Sequence, residues 1–284
     1  MSDPRATPSP AGAIHTGSHV NTSSGRASGQ PLSRWFARPQ PDPQAPFRLF
    51  CFPYAGGGGS VFRQWPANLR GLAEVCAVLL PGREARFRER PFTRMEALVS
   101  ALHAESAGLL DRPFAVFGHS MGALIAYEWC RLLQRQQRRM PACLIVSGSR
   151  PPHADFSDAG VNGLSDDAFL DRLHARYQAI PDMVRQNREL AEVVLPALRA
   201  DFELLEFYRH EAADRLRCPI LAFGGRQDPT VSPRELAEWS AYSEGELELS
   251  LLEGDHFFIR SAEAGLLAGV RSRLSRLVER GPAD

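Results

Sequence analysis

Short apolar runs alternate with segments of helical periodicity along most of the chain, from about residue 47 onward. The apolar runs predict six strands, at 48–52, 75–80, 114–117, 143–147, 219–223 and 247–252. Between them, apolar residues recur at intervals of three and four and predict helices at 61–69, 95–110, 233–242 and 262–278, besides one that begins after Gly122. This alternation favours a single α/β domain, in which helices cover both faces of a mainly parallel sheet.

One connection is much longer than the others. About 70 residues separate the strands predicted at 143–147 and 219–223, whereas a crossover between parallel strands needs about a dozen. Within it, residues 166–177 and 190–208 have apolar side chains at helical spacing. Because open α/β sheets bind ligands beyond the carboxyl ends of their strands, we interpret the insertion, at about 150–214, as a helical lid over that edge.

The N-terminal segment differs from the rest in composition. Residues 1–31 are rich in Ser, Gly, Pro, Ala and Thr and have almost no large apolar side chains. Such a segment buries too little apolar surface to offset the entropy that it would lose on ordering. We therefore expect a disordered tail at 1–31 and a folded domain at 32–284.

Charge and hydropathy exclude several classes of protein. The 284 residues carry a formal net charge of zero, so the chain has no overall charge that would attract nucleic acid or an anionic membrane. All 33 basic residues are arginine, and without lysine the chain cannot form a Walker-type phosphate loop. No apolar run reaches membrane-spanning length and the N-terminus has no signal-peptide core, so we expect a cytoplasmic protein.

The cysteines argue against a disulfide framework and against a zinc site. They are odd in number, form no Cys-x-x-Cys pair, and are accompanied by no pair of histidines at ligand spacing. All five lie in apolar surroundings, at Cys51, Cys76, Cys130, Cys143 and Cys218. We expect them to be buried small side chains.

Residues 114–129 combine a predicted strand, a sharp turn and a predicted helix. The turn reads Gly118-His-Ser-Met-Gly122 and matches the Gly-x-Ser-x-Gly elbow, in which the serine has a strained backbone. Glycine is needed at 118 and 122 because a Cβ there would collide with the neighbouring strand or helix. The turn lifts the Ser120 hydroxyl above a helix N-terminus, which favours developing negative charge, so Ser120 is the candidate nucleophile.

A candidate acid and a candidate base follow two later strands. A serine hydroxyl is a weak nucleophile unless a base removes its proton, and the base needs an acidic group to orient it. Asp228 follows the strand predicted at 219–223, and His256 follows the one at 247–252. With Ser120 they have the chain order Ser, Asp, His that hydrolases of the elbow type use. The sequence therefore predicts a triad of Ser120, Asp228 and His256.

Simpler interpretations of these residues remain open. Asp228 precedes a proline, and such a pair often only opens a turn, while His256 could be a loop histidine without a catalytic role. His119 lies on the wrong side of the turn to take the serine proton, so we assign it to packing. Asp255 is adjacent to His256, and its side chain should diverge from the imidazole, which makes it a poor orienting group.

Two further loops follow the ends of predicted strands. The tetrahedral intermediate needs two N–H donors, and Met121, directly after the nucleophile, supplies one. The glycine-rich loop 52–60 should supply the other, from Ala55, unless it is a plain flexible loop. The loop 80–92 is dense in charge, and it is either solvated surface or a docking site for an acidic partner.

Five motifs belong together. They are Cys51-Phe-Pro-Tyr-Ala-Gly-Gly, Leu80-Pro-Gly-Arg-Glu, Gly118-His-Ser-Met-Gly-Ala, Leu198-Arg-Ala-Asp-Phe and Phe223-Gly-Gly-Arg-Gln-Asp-Pro. Together they resemble the type II thioesterases of modular polyketide and nonribosomal peptide synthesis, which have the α/β-hydrolase fold. The resemblance extends from about Trp35 to the C-terminal helix. It implies an editing hydrolase that removes stalled acyl groups from the phosphopantetheine thiol of an acyl or peptidyl carrier protein.

The resemblance also implies the roles of the candidate residues. Ser120 would be the nucleophile, His256 the base and Asp228 the orienting acid, with Ala55 and Met121 as oxyanion donors. No metal or organic cofactor would be required. The partner would be a carrier protein, not nucleic acid or a membrane, and we expect a monomer.

Other functions are compatible with these residues. An esterase or lipase, or an acyltransferase, that acts on small diffusible substrates would share the triad and need no carrier protein. A hydrolase-fold protein that only binds acyl carriers would need no nucleophile, and a serine-directed phosphonate would not label it.

Overall fold

The computed structural model describes residues 34–156, 160–177, 185–212 and 214–280, and the tail predicted at 1–31 lies outside these ranges. In the described part, seven strands form one sheet in the order β1-β3-β2-β4-β5-β6-β7. They are β1 (Phe36–Ala37), β2 (Phe47–Phe52), β3 (Ala73–Val78), β4 (Phe114–His119), β5 (Leu144–Ser147), β6 (Ile220–Gly225) and β7 (Leu247–Leu252). All neighbouring pairs are parallel except β1 with β3.

The sequence predicted six strands, and the short β1 is the one that it missed. Phe36 and Ala37 pair with Val78 and Ala77. Two residues are too few to show alternation or an apolar run, so the pattern could not reveal this strand. Phe36 is fully buried and meets Phe50 edge to face, with 5.5 Å between the ring centroids, so the chain is docked at the sheet edge before the first long strand begins.

Helices pack on both faces of the sheet and form the insertion between β5 and β6. They are α1 (Trp65–Asn68), α2 (Met95–Ser106), α3 (Met121–Arg135), α4 (Asp166–Tyr177), α5 (Arg188–Phe207), α6 (Pro233–Ala237), α7 (Phe258–Ser261) and α8 (Glu263–Arg280). The helix predicted at 61–69 is interrupted in the structure, and only Trp65–Asn68 is α-helical. The chain instead forms a 3₁₀ turn at Gly59–Phe62 and then α1, because Pro66 has no N–H with which to continue a helix from that turn.

Two cores lie on opposite faces of the sheet, because side chains alternate along each strand. Phe50 and Phe52 of β2 belong to the core that includes α2 and α3, whereas Leu49 and Cys51 belong to the core that includes α1 and α8. Every residue of β2, β3 and β4 is buried, which is typical of a parallel sheet covered on both faces. The five cysteines are buried and free, as predicted. The strands therefore form a buried base for the loops at their ends.

The insertion between β5 and β6 contains the two helices that the sequence predicts there, α4 and α5. They enclose a small apolar core that is separate from the two cores of the sheet. Phe169 and Leu173 of α4 pack with Leu195 and Phe202 of α5, and the rings of Phe169 and Phe202 meet edge to face at 5.8 Å. The insertion is thus a structured helical layer.

A sharp turn at Ser120 joins β4 to α3. Ser120 has φ 54° and ψ −121°, a positive-φ conformation that residues with a Cβ rarely adopt. Its N–H donates to the Ser147 carbonyl of β5, at 2.8 Å. A Cβ at Gly118 would lie closer than 3.0 Å to the backbone of Gly122, and a Cβ at Gly122 would lie as close to the Phe52 carbonyl. Both glycines are therefore needed for a steric reason.

We predict that Gly122→Ala lowers the free energy of unfolding by about 3 kcal/mol or more, because the added methyl must displace backbone rather than a flexible side chain. Urea unfolding measures the change. Gly108→Ala is the matched control, since a Cβ there would meet nothing within 4 Å. It should alter stability by less than about 1 kcal/mol. Equal stability of the two variants would contradict the steric account.

Candidate active site

The predicted triad residues lie at the carboxyl ends of three parallel strands, Ser120 after β4, Asp228 after β6 and His256 after β7. His256 Nε2 is 3.0 Å from Ser120 Oγ, and His256 Nδ1 is 2.8 Å from Asp228 Oδ2. The side chains of His256 and Asp228 are 4% and 0% exposed. An ionised carboxylate only accepts hydrogen bonds, so Nδ1 carries the proton and Nε2 faces the serine hydroxyl as an acceptor. This geometry allows His256 to take the proton of Ser120.

Thr230, which the sequence analysis did not single out, holds the carboxylate of Asp228. Its backbone N–H and its hydroxyl both donate to Asp228 Oδ1, at 2.8 and 2.7 Å, while Oδ2 faces His256. Thr230 Oγ1 also lies 3.0 Å from His256 Nδ1. The bond from the Thr230 N–H to the Asp228 side chain forms the turn that the Asp-Pro pair indicated. Asp228 thus both opens a turn and contacts His256, and the Asp-x-Thr spacing was the available signal.

The carboxylate of Asp228 is stabilised in its charged form. Burial raises the pKa of Asp228, but hydrogen bonds from His256 and Thr230 and the charge on His256 outweigh it, so the pKa lies below the usual value of 3.8. An ionised Asp228 can stabilise a positive imidazole when His256 accepts a proton.

His119 does more than the packing that the sequence suggested. It is fully buried, with Nε2 at 2.9 Å from the backbone carbonyl of His256 and Nδ1 at 2.9 Å from Ser147 Oγ. A carbonyl only accepts, so Nε2 donates to it and Nδ1 accepts from the serine hydroxyl. Burial and the charge of His256 lower the pKa of His119 to about 3. His119 therefore stays neutral and holds the backbone of His256 in place.

An apolar cavity of about 40 Å³ adjoins Ser120 and His256. Phe257, next to His256, also lines it, and its other walls come from the loop after β2, from α4 and from α5. They include Tyr54, Ala55, Leu173, Tyr177, Leu198 and Phe202. The lid helices thus lie over the candidate nucleophile, at the sheet edge where the sequence placed a lid.

Both predicted oxyanion donors lie beside the nucleophile. Met121 is the first residue of α3, and the first N–H groups of a helix have no acceptor within it. Ala55 lines the same cavity as Ser120. Their role as donors to a tetrahedral intermediate stays a prediction.

The charged loop at 80–92 makes internal contacts. Arg83 forms a buried two-pronged ion pair with Asp201, at 2.6 and 2.7 Å. Glu84 accepts from two backbone N–H groups of the glycine-rich loop, at 2.8 and 3.0 Å. The buried Arg86 lies over the ring of Trp35, 4.1 Å from its centroid. Arg83 and Glu84 lie within the motif Leu80-Pro-Gly-Arg-Glu that the sequence singled out, but these contacts were not predicted, because a dense run of charges looks like solvated surface and nothing local shows that its partners are distant in sequence.

Two further features concern only the described residues. No group of three or more His, Cys, Asp or Glu side chains there is placed to hold a metal ion. No helix there is both long enough and apolar enough to cross a membrane.

Comparison with known proteins identifies the family. The family model described as Thioesterase domain matches residues 47–274, which is most of the chain. The chain belongs to the thioesterase family. Family membership makes it a serine hydrolase that acts on thioesters, and it confirms the resemblance that the motifs carried.

Similar proteins support the same assignment. The chain is 36% identical to the gramicidin S biosynthesis protein GrsT of Aneurinibacillus migulanus, over 80% of this chain and 89% of that protein. The solved structure of RedJ, a thioesterase from the prodiginine biosynthetic pathway in Streptomyces coelicolor, shares 38% identity with a TM-score of 0.73 and covers 80% of this chain and 86% of its own. The solved structure of the type II thioesterase BorB from the borrelidin biosynthetic cluster shares 31% identity with a TM-score of 0.75, and the match covers 85% of this chain and 96% of that chain. The predicted fold class is thereby confirmed.

The buried His119 generates a prediction about acid stability. Below pH 6.5 the unfolded chain binds a proton at this histidine, whereas the folded chain does not until about pH 3. The free energy of unfolding therefore falls as the pH falls between these values, by up to about 1.4 kcal/mol per pH unit from this residue. His119→Gln loses stability at pH 8, because its hydrogen bonds change, but should show a shallower slope in urea unfolding between pH 8 and pH 4. Parallel slopes in both proteins would contradict a neutral, buried His119.

Proposed function

We propose that the protein is an editing thioesterase of type II, which hydrolyses acyl groups from the phosphopantetheine arm of acyl or peptidyl carrier proteins. The observation that carries this proposal is the buried chain of hydrogen bonds from Ser120 through His256 to Asp228, at the edge of an apolar cavity in a thioesterase fold. The similarity to BorB, which is a type II thioesterase, and to GrsT, a gramicidin S biosynthesis protein, supports it.

The triad geometry suggests the following reaction. His256 Nε2 takes the proton of Ser120 as Oγ attacks the thioester carbonyl, and Asp228 stabilises the imidazolium. The N–H groups of Ala55 and Met121 donate to the carbonyl oxygen as it becomes negative. His256 then returns the proton to the departing thiol, which leaves an acyl ester on Ser120. A water that His256 deprotonates attacks this ester, and the acid departs as Ser120 recovers its proton.

Every group in this scheme comes from the chain itself. A serine, an imidazole, a carboxylate and two backbone N–H groups are sufficient for acyl transfer to water. The proposal therefore requires neither a metal ion nor an organic cofactor, and the phosphopantetheine belongs to the carrier protein.

The size of the cavity and the contacts of the two lid helices indicate how the substrate enters. A volume of about 40 Å³ holds a few water molecules and is too small for an acyl chain, so we expect the lid to move when the substrate enters. Two buried polar contacts hold the C-terminal half of α5 to the body. Asp201 pairs with Arg83, and the hydroxyl of Tyr208, directly after the helix, donates to the buried Glu128 at 2.8 Å. Helix α4 instead contributes its buried side chains to the lid core. We therefore expect α4 to move more than α5.

The closest competing functions share this chemistry. An esterase or lipase on small diffusible esters would use the same triad without a carrier protein. An acyltransferase would pass the acyl group from Ser120 to an added alcohol or amine instead of to water. The substrate, and not the site, distinguishes them.

A substrate comparison tests the proposal. We predict that kcat/KM for an acyl thioester on a carrier protein exceeds that for an oxygen ester of the same acid by roughly tenfold or more, a difference of about 1.4 kcal/mol in activation free energy. Hydrolysis should be abolished in Ser120→Ala, with the fold intact. It should be retained in Ser100→Ala, whose serine is exposed on α2.

Each other outcome of this assay identifies a different function. Equal rates on both substrates would favour an esterase, and acyl transfer to an added amine would favour an acyltransferase. Binding of the carrier protein without turnover, and without labelling by a serine-directed phosphonate, would identify a protein that only binds acyl carriers.

A further inference from the structure

A buried ion pair fastens the lid helix α5 to the glycine-rich loop that carries Ala55. Asp201 of α5 is 3% exposed, and its Oδ2 accepts the backbone N–H of Gly56 at 2.7 Å. The same carboxylate pairs with both terminal nitrogens of Arg83, at 2.6 and 2.7 Å. Arg83 Nη1 also donates to the carbonyl of Gly57, at 3.2 Å. Two successive glycines of the loop are therefore held by one ion pair.

The next residues of the loop are held in the same way. Glu84 accepts from the N–H groups of Gly59 and Ser60, and its own backbone has φ 47°, which is strained for a residue with a Cβ. Arg83 and Glu84 are adjacent, so one short segment contacts the glycine-rich loop on both sides of Gly58. The loop is thus fixed by charged side chains although its glycines would permit many conformations.

A buried ion pair is weak evidence for stability, because removing two charges from water can cost as much as their attraction returns. The contacts of this pair point to another role. Adjacent peptide units share a Cα, so a fixed N–H at Gly56 restricts the direction of the N–H at Ala55. Gly56 itself has φ 76°, a conformation that a residue with a Cβ rarely adopts, and Ala55 before it lines the cavity.

We infer that Asp201, oriented by Arg83, is a positioning residue that holds the Ala55 N–H towards the oxygen of the reacting carbonyl. The inference rests on the proposed function, in which Ala55 is an oxyanion donor. Asp201 does not touch the substrate. It acts through the Gly56 N–H, and the oxyanion site is therefore complete only when α5 is docked on the loop.

The test compares Asp201→Asn with Glu203→Gln in the full chain. Glu203 lies two residues further along α5 and pairs with Arg94 at 3.2 Å in an exposed ion pair, which makes it a matched control. Asparagine has a single side-chain oxygen, so at position 201 it cannot accept from the Gly56 N–H and from both terminal nitrogens of Arg83 as the two oxygens of Asp201 do. We expect kcat on a carrier-bound acyl thioester to fall by roughly 10- to 100-fold in Asp201→Asn, with KM within about threefold of wild type. Glu203→Gln should match wild type in both constants.

A second readout separates positioning from general loss of structure. An alkyl boronic acid forms a tetrahedral adduct with the serine and places an oxygen in the oxyanion site, whereas an acyl-pantetheine amide resembles the bound substrate. Asp201→Asn should lower the affinity for the boronic acid by the same factor by which it lowers kcat, and it should leave the affinity for the amide unchanged. Equal weakening of both ligands, or an unchanged kcat, would overturn the inference.

If Asp201→Asn does not fold, Arg83→Lys decides the question. Lysine keeps the charge but cannot contact both carboxylate oxygens and the Gly57 carbonyl as the arginine fork does. The inference requires a lower kcat and a selective loss of boronic acid affinity in this variant, and wild-type values would overturn it.

Failure of the proposed function is visible separately. In that case the wild-type protein itself would not hydrolyse the carrier thioester, or Ser120→Ala would remain active.

Discussion

The site depends on the positive-φ turn at Ser120. Such a conformation costs on the order of 1–3 kcal/mol and persists only where the surrounding structure enforces it. Here the hydrogen bond from the Ser120 N–H to the Ser147 carbonyl stabilises it. The absence of a Cβ at Gly118 and Gly122 permits it, because α3 can then approach the end of β2. The turn determines the positions of both the Ser120 hydroxyl and the N–H of Met121, the first residue of α3. The nucleophile and one proposed oxyanion donor are therefore positioned by the same turn.

The parallel sheet brings the other groups to this turn. Because β4, β6 and β7 run in the same direction, the loops after them meet at one edge, and there His256 bridges Ser120 and Asp228. A second set of contacts fixes these residues in turn. Thr230 holds the carboxylate, and the neutral His119 holds the backbone of His256. The triad is thus supported from the strand ends, while the cavity beside it is covered by α4, which packs in the separate lid core, and by α5, which packs both in that core and on the sheet.

Much of this arrangement could be predicted from the sequence, for physical reasons. Strands β2 to β6 are buried throughout and therefore appear as mostly apolar runs, whereas the edge strand β7 is only partly buried and alternates leucine with polar residues. Each triad residue follows the end of one of these strands. The two-residue β1 leaves no such signal. Asp201 occurs inside a regular helical pattern, and Arg83 and Glu84 occur inside a run of charges, so local sequence does not reveal that all three are engaged with the glycine-rich loop. Their contacts became visible only in three dimensions, because the partners are far apart in the chain.

The central claim is that Ser120 is acylated with His256 as its base and Asp228 as the orienting acid. Rapid quenching followed by intact-mass analysis, after mixing the protein with an acyl-loaded carrier, measures the acyl ester on Ser120 directly. The account predicts an ester that forms at the wild-type rate in Asp255→Asn, whose carboxylate instead accepts from the Phe257 N–H, and much more slowly in Asp228→Asn. Turnover without any ester on Ser120, or equal acylation rates in the two variants, would contradict it.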